Sequence, residues 1–462
     1  MRLNPINKAT QEERARILTE APIPSLITTL AVPTIISMLV TALYNMADTF
    51  FVGKISTEAT AAVGLVFSVM AIIQALGFLA GHGSGNYMSR RLGAGDRREA
   101  EVMASTGFTA GILIGIVVAA AGIRNITSLS LFLGATPTTL ADTQAYMSVI
   151  LLGAPVIIGS FVLNNQLRFQ GSASYAMIGL MSGAVINVAL DPLLIFGFDM
   201  GVAGAAWATI IGQAVSLLVL FVMTQTGNCI HLSVTCIRLT PHFIGQMLNG
   251  GMPSLARQGM AAVATLLLNR YAGVYGGDAA IAGMSVVSRV MLMSGSALIG
   301  FGQGFQPVCS FNYGAGRKTR VREGYFFCLR YGTVFMTTVG ILCFVFAPQI
   351  VGYFRSDPAV IEVGSAALRW QAAVLPLSAT IIMTNMLLQS IGRGVKGSVM
   401  AACRNGLCFI PLLIILSTVR GLFGVEIAQS CADVLSFVIA IPMASSELSK
   451  MKKEALPVQA DV

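Results

Sequence analysis

The chain has 462 residues, 55% of them hydrophobic and only 11% charged, at a mean hydropathy of +0.77. Soluble globular proteins carry about 25% charged residues, so a soluble fold is excluded and the chain reads as an all-α membrane protein. Its net charge of +9 would suit a nucleic-acid binder, but the placement of the cations gives that charge a topological reading, and no nucleic-acid partner is expected.

Residues 1–25 are polar and mixed in charge, and are expected to form a cytoplasmic tail, not a cleaved signal peptide. Twelve apolar stretches follow, at 26–46, 60–80, 102–123, 144–164, 174–197, 202–224, 244–269, 280–302, 325–347, 365–388, 397–418 and 422–443. Each is long enough to cross about 30 Å of hydrocarbon as a helix. The longest connection, 225–243, contains GNCIHLSVTCIRLTPH and is expected to be a cytoplasmic linker. It divides an amino lobe (26–224) from a carboxy lobe (244–443), and 444–462 form a second cytoplasmic tail.

On the side of the tails the reading places 19 basic residues. They include Arg90, Arg91, Arg97 and Arg98 after span two, Arg168, Arg238, and Arg317, Lys318, Arg320 and Arg322 after span eight. The other side has five: Lys54, Arg124, Arg270, Arg355 and Arg420. The positive-inside rule then predicts that both termini are cytoplasmic; a multi-pass protein of the bacterial inner membrane, present as a monomer, is expected.

An internal repeat organises the whole chain. Pro33 recurs as Pro253, Glu58-Ala59 as Asp278-Ala279, and GHGSGNYMSRRLGAG (81–95) as GQGFQPVCSFNYGAG (302–316). Pro155 answers Pro376, Gln170 answers Gln389, Asn187 answers Asn405, Pro192 answers Pro411, and GVAG (201–204) answers GLFG (421–424), all at offsets of 218–221. Six spans per repeat mean that both halves enter the membrane in the same sense. The expected architecture is two six-helix lobes related by a parallel repeat and facing each other across a central cavity.

Span one ends in TALYNMADTFFVG (41–53), with Tyr44, Asn45 and Asp48 where leucines would be expected. An intramembrane carboxylate costs about 2.5–3.5 kcal/mol at a helix centre, so it is rare without a purpose. Span five reads SGAVINVALDPLLIF; Asn187 and Asp191 are four residues apart on one helical face, and Pro192 frees carbonyls beside them. Span six opens GVAGAAWAT, a small-residue face with the hydroxyl of Thr209. Two carboxylates, an amide oxygen and a hydroxyl suit a small hard cation or a proton. At offset 220 the carboxy lobe has Ala264 and Leu268 where the amino lobe has Tyr44 and Asp48, so ion chemistry is expected in the amino lobe alone.

YNMADTFFVG, LNNQLRFQGS (163–172), NVALDPLLIFGFDMGVAGAAWATIIGQ, MPSLARQG and FNYGAG resemble the multidrug and toxic compound extrusion (MATE) transporters. The resemblance implies a twelve-helix antiporter that expels organic, often cationic, drug-like compounds against H⁺ or Na⁺, a multidrug efflux activity that underlies antibiotic resistance. It implies a cation site at Asp48, Asn187, Asp191 and Thr209, with Tyr44 and Asn164 in the surrounding hydrogen-bond network. Pro33 is a gating candidate, about four turns before Asp48. Some family members use acids in the carboxy lobe; spans seven, eight and ten here offer only Arg257, Arg289, Arg369 and neutral polar groups.

The remaining features carry no chemistry of their own. GHGSG follows a membrane helix and is expected to be a packing segment and a turn, not a phosphate cradle. GRGVKGS (392–398) has the wrong spacing for a nucleotide loop. The eight cysteines and three histidines show no metal-ligand spacing, so no metal beyond a possible Na⁺ and no cofactor is expected, nor is an enzyme. Asp433 and Glu426 are expected to pair with Arg404. A lipid-linked precursor flippase, with Arg257 and Arg289 reading a pyrophosphate, is the alternative; a non-transporting receptor is a weaker one.

Overall fold

The computed structural model describes residues 9–455, apart from the side chains of Gln11, residues 42–47, Thr49, Thr57 and Ala455. Among the described residues there are helices and short turns and no strand. Nine helices are long and apolar enough to span a membrane, and two bent pairs supply one span each: Leu140–Leu152 with Ala154–Phe169, and Pro358–Val374 with Leu377–Ser390. The longest helix, Pro241–Gly314, is two spans broken at Gly277, whose φ of 63° and ψ of −157° only glycine adopts readily. Both its ends return to span two, at Gly83 and at Gly93, so it is a hairpin. The count among the described residues is therefore twelve, at the positions hydropathy predicts.

The spans run Ile23–Val52, Thr57–Gly93, Arg97–Arg124, the first bent pair, Ala173–Pro192 and Gly201–Thr226 in the first half. In the second half they are the hairpin, Lys318–Val345, the second bent pair, the segment from Gly394 to Arg420 and Leu422–Ala455. The bends of 49° and 59° fall at Pro155 and beside Pro376, where a proline ring ends the preceding helix. Span five widens into a π turn, Leu193–Gly197, just after Pro192, and span eleven carries its own at Cys403–Leu407. Side chains such as Phe67, Val117, Leu218, Leu266 and Val334 stand exposed around the outside, as lipid contact requires.

The buried apolar residues form two main cores. One gathers Val52 to Ile210 together with Met247; the other gathers residues 264–451 together with Leu18, Ile23, Leu26, Ile27 and Leu30. Span one thus belongs to both lobes. Its beginning packs on the second core, where Ala31 and Ile35 lie against Gly304 and Gly300, and its later half packs on span five. The segment 11–20, read from sequence as tail, is a helix whose Leu18 is buried in that second core. The last span likewise continues as helix to Ala455. The linker lies along span three, with the amides of Ser233 and Arg238 donating to Ser105 and Thr106.

The repeat is visible in the bonds themselves. Asn164 Nδ2 donates to the Ala176 carbonyl at 2.8 Å, and Asn385 Nδ2 donates to the Gly397 carbonyl at 2.8 Å, an offset of 221 on both sides. The turn glycines also recur, with Gly95 (φ 82°) and Gly316 (φ 74°), and with Gly171 (φ 84°) and Gly392 (φ 81°). This last pair sets the register and corrects one anchor. Gln389 answers Arg168, not Gln170, because the helices ending at Phe169 and Ser390 align through their turn glycines.

Two further corrections concern the face that carries both termini. Arg168 and Arg90, read as loop charges, lie inside helices, with Arg168 only 3% exposed. Removing both from the charge count leaves a bias of the same sign. GHGSG is not a turn: it continues span two, which runs to Gly93 because its polar residues are buried against the other lobe.

Candidate functional site

Span five places Asn187 and Asp191 one turn apart, facing spans one and six, and both are buried. Small residues make this approach possible: a side chain on Gly212 would collide with Asn187, and one on Gly183 with the Gly212 carbonyl. Asn187 Nδ2 donates to Thr209 Oγ1 at 3.3 Å, joining spans five and six. Asp191 has no exposed surface, and Asp48 on span one lies within reach of its charge. Both oxygens of Asp191, Oδ1 of Asp48 and Oδ1 of Asn187 have no hydrogen-bond partner. Four orphaned acceptors, three of them on acids, form a set that a proton or a small hard cation would satisfy.

Beside this set lies a cavity of about 30 Å³ lined by Thr41, Asn164, Asn187, Thr209, Gln213 and Ser216, among others. That volume holds one or two water molecules and no organic compound. Of the residues expected at the site, Asn164, Asn187 and Thr209 share this cavity; Asp191 is one turn beyond Asn187, outside the lining, with Asp48 within reach of its charge. Tyr44 lies outside the residues whose side chains are described. Thr41, Gln213 and Ser216 were not anticipated. Gln213 follows Thr209 by four residues on the same face of span six, which was the available signal.

The carboxy lobe holds a larger cavity of about 300 Å³, at the lower end of the range that accommodates small-molecule ligands. Its walls include Arg257, Gln258, Met291, Gln371, Asn385 and Asn405. Arg404 on the same wall is bound by Asp433 at 2.9 and 3.2 Å, as the sequence reading expected; Glu426 is not part of that pair.

Between the lobes, at the terminal face, runs a buried polar network that the sequence reading did not identify. Arg168 Nη1 donates to Gln303 Oε1 at 2.7 Å, and Nη2 donates to Asn165 and to His82 Nε2 at 2.9 Å. Since a guanidinium only donates, His82 accepts at Nε2 and offers its remaining proton at Nδ1 to Ser254 Oγ, 2.5 Å away. Gln389 Nε2 donates to the same hydroxyl at 2.8 Å, Ser310 donates to Asn86 at 2.9 Å, and Arg90 donates to the Ser390 carbonyl at 3.0 Å. Glycines bring the helices close enough for these bonds: an added Cβ would sit 2.0 Å from the Met247 carbonyl at Gly83 and 1.9 Å from the Leu79 carbonyl at Gly251.

Comparison with known proteins agrees with the repeat. The MatE family model matches the chain twice, over residues 33–193 and 253–415. The multidrug export protein MepA of Staphylococcus saprophyticus is 28% identical over 413 residues, covering 89% of this chain and 91% of that protein. The crystal structure of a MATE transporter in a bent conformation superposes with a TM-score of 0.90 at 26% identity, covering 96% of this chain and 99% of that one. An outward-facing multidrug resistance MATE transporter of the MOP superfamily gives 0.88 at 26% identity, over 95% and 98%. The twofold family match, the two-lobed architecture of twelve spans and these likenesses agree: the chain belongs to the MatE family.

Proposed function

We propose that this protein is a multidrug efflux transporter of the bacterial inner membrane, working as a secondary active antiporter that exchanges organic, often cationic, compounds for H⁺ or Na⁺. The observation that carries the ion half of this reading is the set of four orphaned oxygens at Asp48, Asn187 and Asp191. Unpartnered buried acceptors cost about 1–3 kcal/mol each, and a protein that keeps them without a partner keeps them for an ion that comes and goes.

The two cavities divide the labour by size. The amino-lobe cavity of about 30 Å³ suits the ion, and the carboxy-lobe cavity of about 300 Å³ suits the drug. Loading a cation at Asp48 and Asp191 removes negative charge from the amino lobe. Ion and substrate then favour different facings of the lobes, as alternating access requires. Pro33 has the role of a hinge: it lies between Ala31 and Ile35, inside the stretch of span one that packs on the second lobe, and leaves the helix one backbone bond short ahead of Asp48. Both termini face the cytoplasm by the distribution of basic residues, and no chemistry on the substrate is part of the cycle.

Transport by the purified protein in vesicles, with the pH and Na⁺ gradients imposed separately, tests this reading. One gradient drives accumulation of a lipophilic cationic dye and the other does not; accumulation independent of both would refute the antiport.

A further inference from the structure

The carboxy-lobe cavity holds a charge for which export of cations has no use. Arg257 lines it and, among the described residues, takes part in no hydrogen bond or ion pair. The other cation on the wall, Arg404, is already matched by Asp433, and no carboxylate lines the cavity. The amides of Gln258, Gln371, Asn385 and Asn405 are neutral, and Arg168, whose charge Arg257 feels, repels it and cannot neutralise it. Among the described residues this partly exposed guanidinium is therefore left without a counter-charge, an arrangement that an anion would improve.

The internal repeat shows how this came about. Asn164 and Asn385 are held by the same bond in the two lobes, and each lines the cavity of its own lobe. In spans one and seven, where Pro33 answers Pro253, Arg257 stands at offset 220 from Ser37, and Leu268 stands at the same offset from Asp48. The two lobes differ in charge on that frame: the amino-lobe cavity is lined by neutral groups with Asp191 one turn beyond Asn187, and the carboxy-lobe cavity is lined by an unmatched guanidinium.

We infer that the carboxy-lobe cavity is an anion-accepting subsite, in which Arg257 receives the carboxylate or phosphate of an amphiphilic organic compound. A planar guanidinium takes such an oxyanion through two parallel N–H donors. Met291, Ile299, Ile381 and Ile382 on the same walls receive the apolar body. The inference rests on the export reading and narrows it: zwitterions that pair a cation with a carboxylate belong among the substrates.

A rhodamine bearing a free carboxylate and its methyl ester form a matched pair of probes, one with the anion and one without. Binding of each to the full-length purified protein is read by fluorescence polarisation in phosphatidylcholine nanodiscs. The wild type prefers the acid, and Arg257→Gln lowers the acid-to-ester ratio by about tenfold, the weight of one charge-assisted hydrogen bond. Arg257→Lys restores part of the preference. A wild type that favours the ester, or a ratio unchanged in Arg257→Gln, overturns the subsite. The first of these outcomes decides even if the glutamine variant cannot be purified. Phosphatidylglycerol that displaces the acid and spares the ester marks a lipid headgroup as the natural anion; failure to displace it marks a soluble one. An acid preference that depends on Arg257, in a protein that moves neither dye across vesicles, keeps the subsite and defeats the export reading.

Discussion

Asp191 shows what a single residue can reveal. It is completely buried in a membrane helix with neither oxygen bonded, whereas one of the buried acids of the other lobe, Asp433, is held by Arg404 through two hydrogen bonds. A structural carboxylate looks like Asp433: it acquires a partner, since an isolated buried charge costs several kcal/mol. Asp191 looks like a group whose partner is mobile. Replacing it with Asn keeps the shape and removes the charge. Asp191→Asn is expected to insert and purify like the wild type, lower driven dye transport in vesicles at least about tenfold, and lose the response to the driving gradient, because the ion no longer gains the electrostatic contact that a charged site provides. Normal gradient-driven transport by that variant would remove Asp191 from the ion site. Asp433→Asn has the opposite signature, in that it harms folding by stranding Arg404.

At the scale of helices, hydropathy located all twelve spans, because each must bury about 20 residues in hydrocarbon whatever its neighbours do. It misjudged where span two ends. His82, Ser84, Asn86 and Arg90 read as an exit into water, yet three of the four are fully buried and Arg90 bonds across to Ser390, so the helix runs on to Gly93. Polarity in a sequence says that a group needs partners; it does not say whether water or the other lobe supplies them. Asn187, Asp191 and Thr209 were legible because helical periodicity and a four-residue spacing are local properties. The network at His82 and Arg168 was not, since apart from Arg168 with Asn165 the bonds these two side chains make join positions 86 to 172 residues apart. The glycines in this region support a prediction with an internal control. A methyl on Gly251 would sit 1.9 Å from the Leu79 carbonyl, a backbone atom that cannot swing aside, whereas Gly259 on the same helix has nothing within 4 Å. Gly251→Ala is therefore expected to destabilise the protein by about 1–3 kcal/mol and to lower its melting temperature in detergent, while Gly259→Ala does not. Equal melting temperatures for the two variants would mean that the lobes do not meet as tightly as described.

The whole molecule is two copies of one bundle joined at one face. Every inter-lobe bond described above joins residues near the termini: Asn86 with Ser310, His82 with Ser254, Arg168 with Gln303, Arg90 with Ser390. The closest backbone approaches between the bundles, at Gly83, Gly93, Gly251 and Gly314, belong to the same region. If the protein works by alternating access, this region must come apart once per cycle, and hydrogen bonds without a carboxylate partner are suited to that. The neutral pairs contribute about 0.5–1.5 kcal/mol each and the two with an arginine donor about 1.5–3, so the seal is firm in sum and can be opened one bond at a time, where a buried ion pair would leave two stranded charges. Span one follows the motion of both lobes, since its beginning packs with the second and its end with the first, and Pro33 in the first of these stretches leaves the helix one backbone bond short. Asn86 Oδ1 and Ser310 Oγ, 2.9 Å apart on opposite lobes, offer the means to hold the seal shut. Asn86→Cys with Ser310→Cys, in a protein whose native cysteines have been replaced, is expected to cross-link under mild oxidation and to lose gradient-driven dye transport. A reductant restores it, and each single cysteine variant transports with and without oxidant. Transport that continues at full rate with the cross-link in place would mean that the terminal face never opens, and the exchange of facings between the two bundles would have to be abandoned.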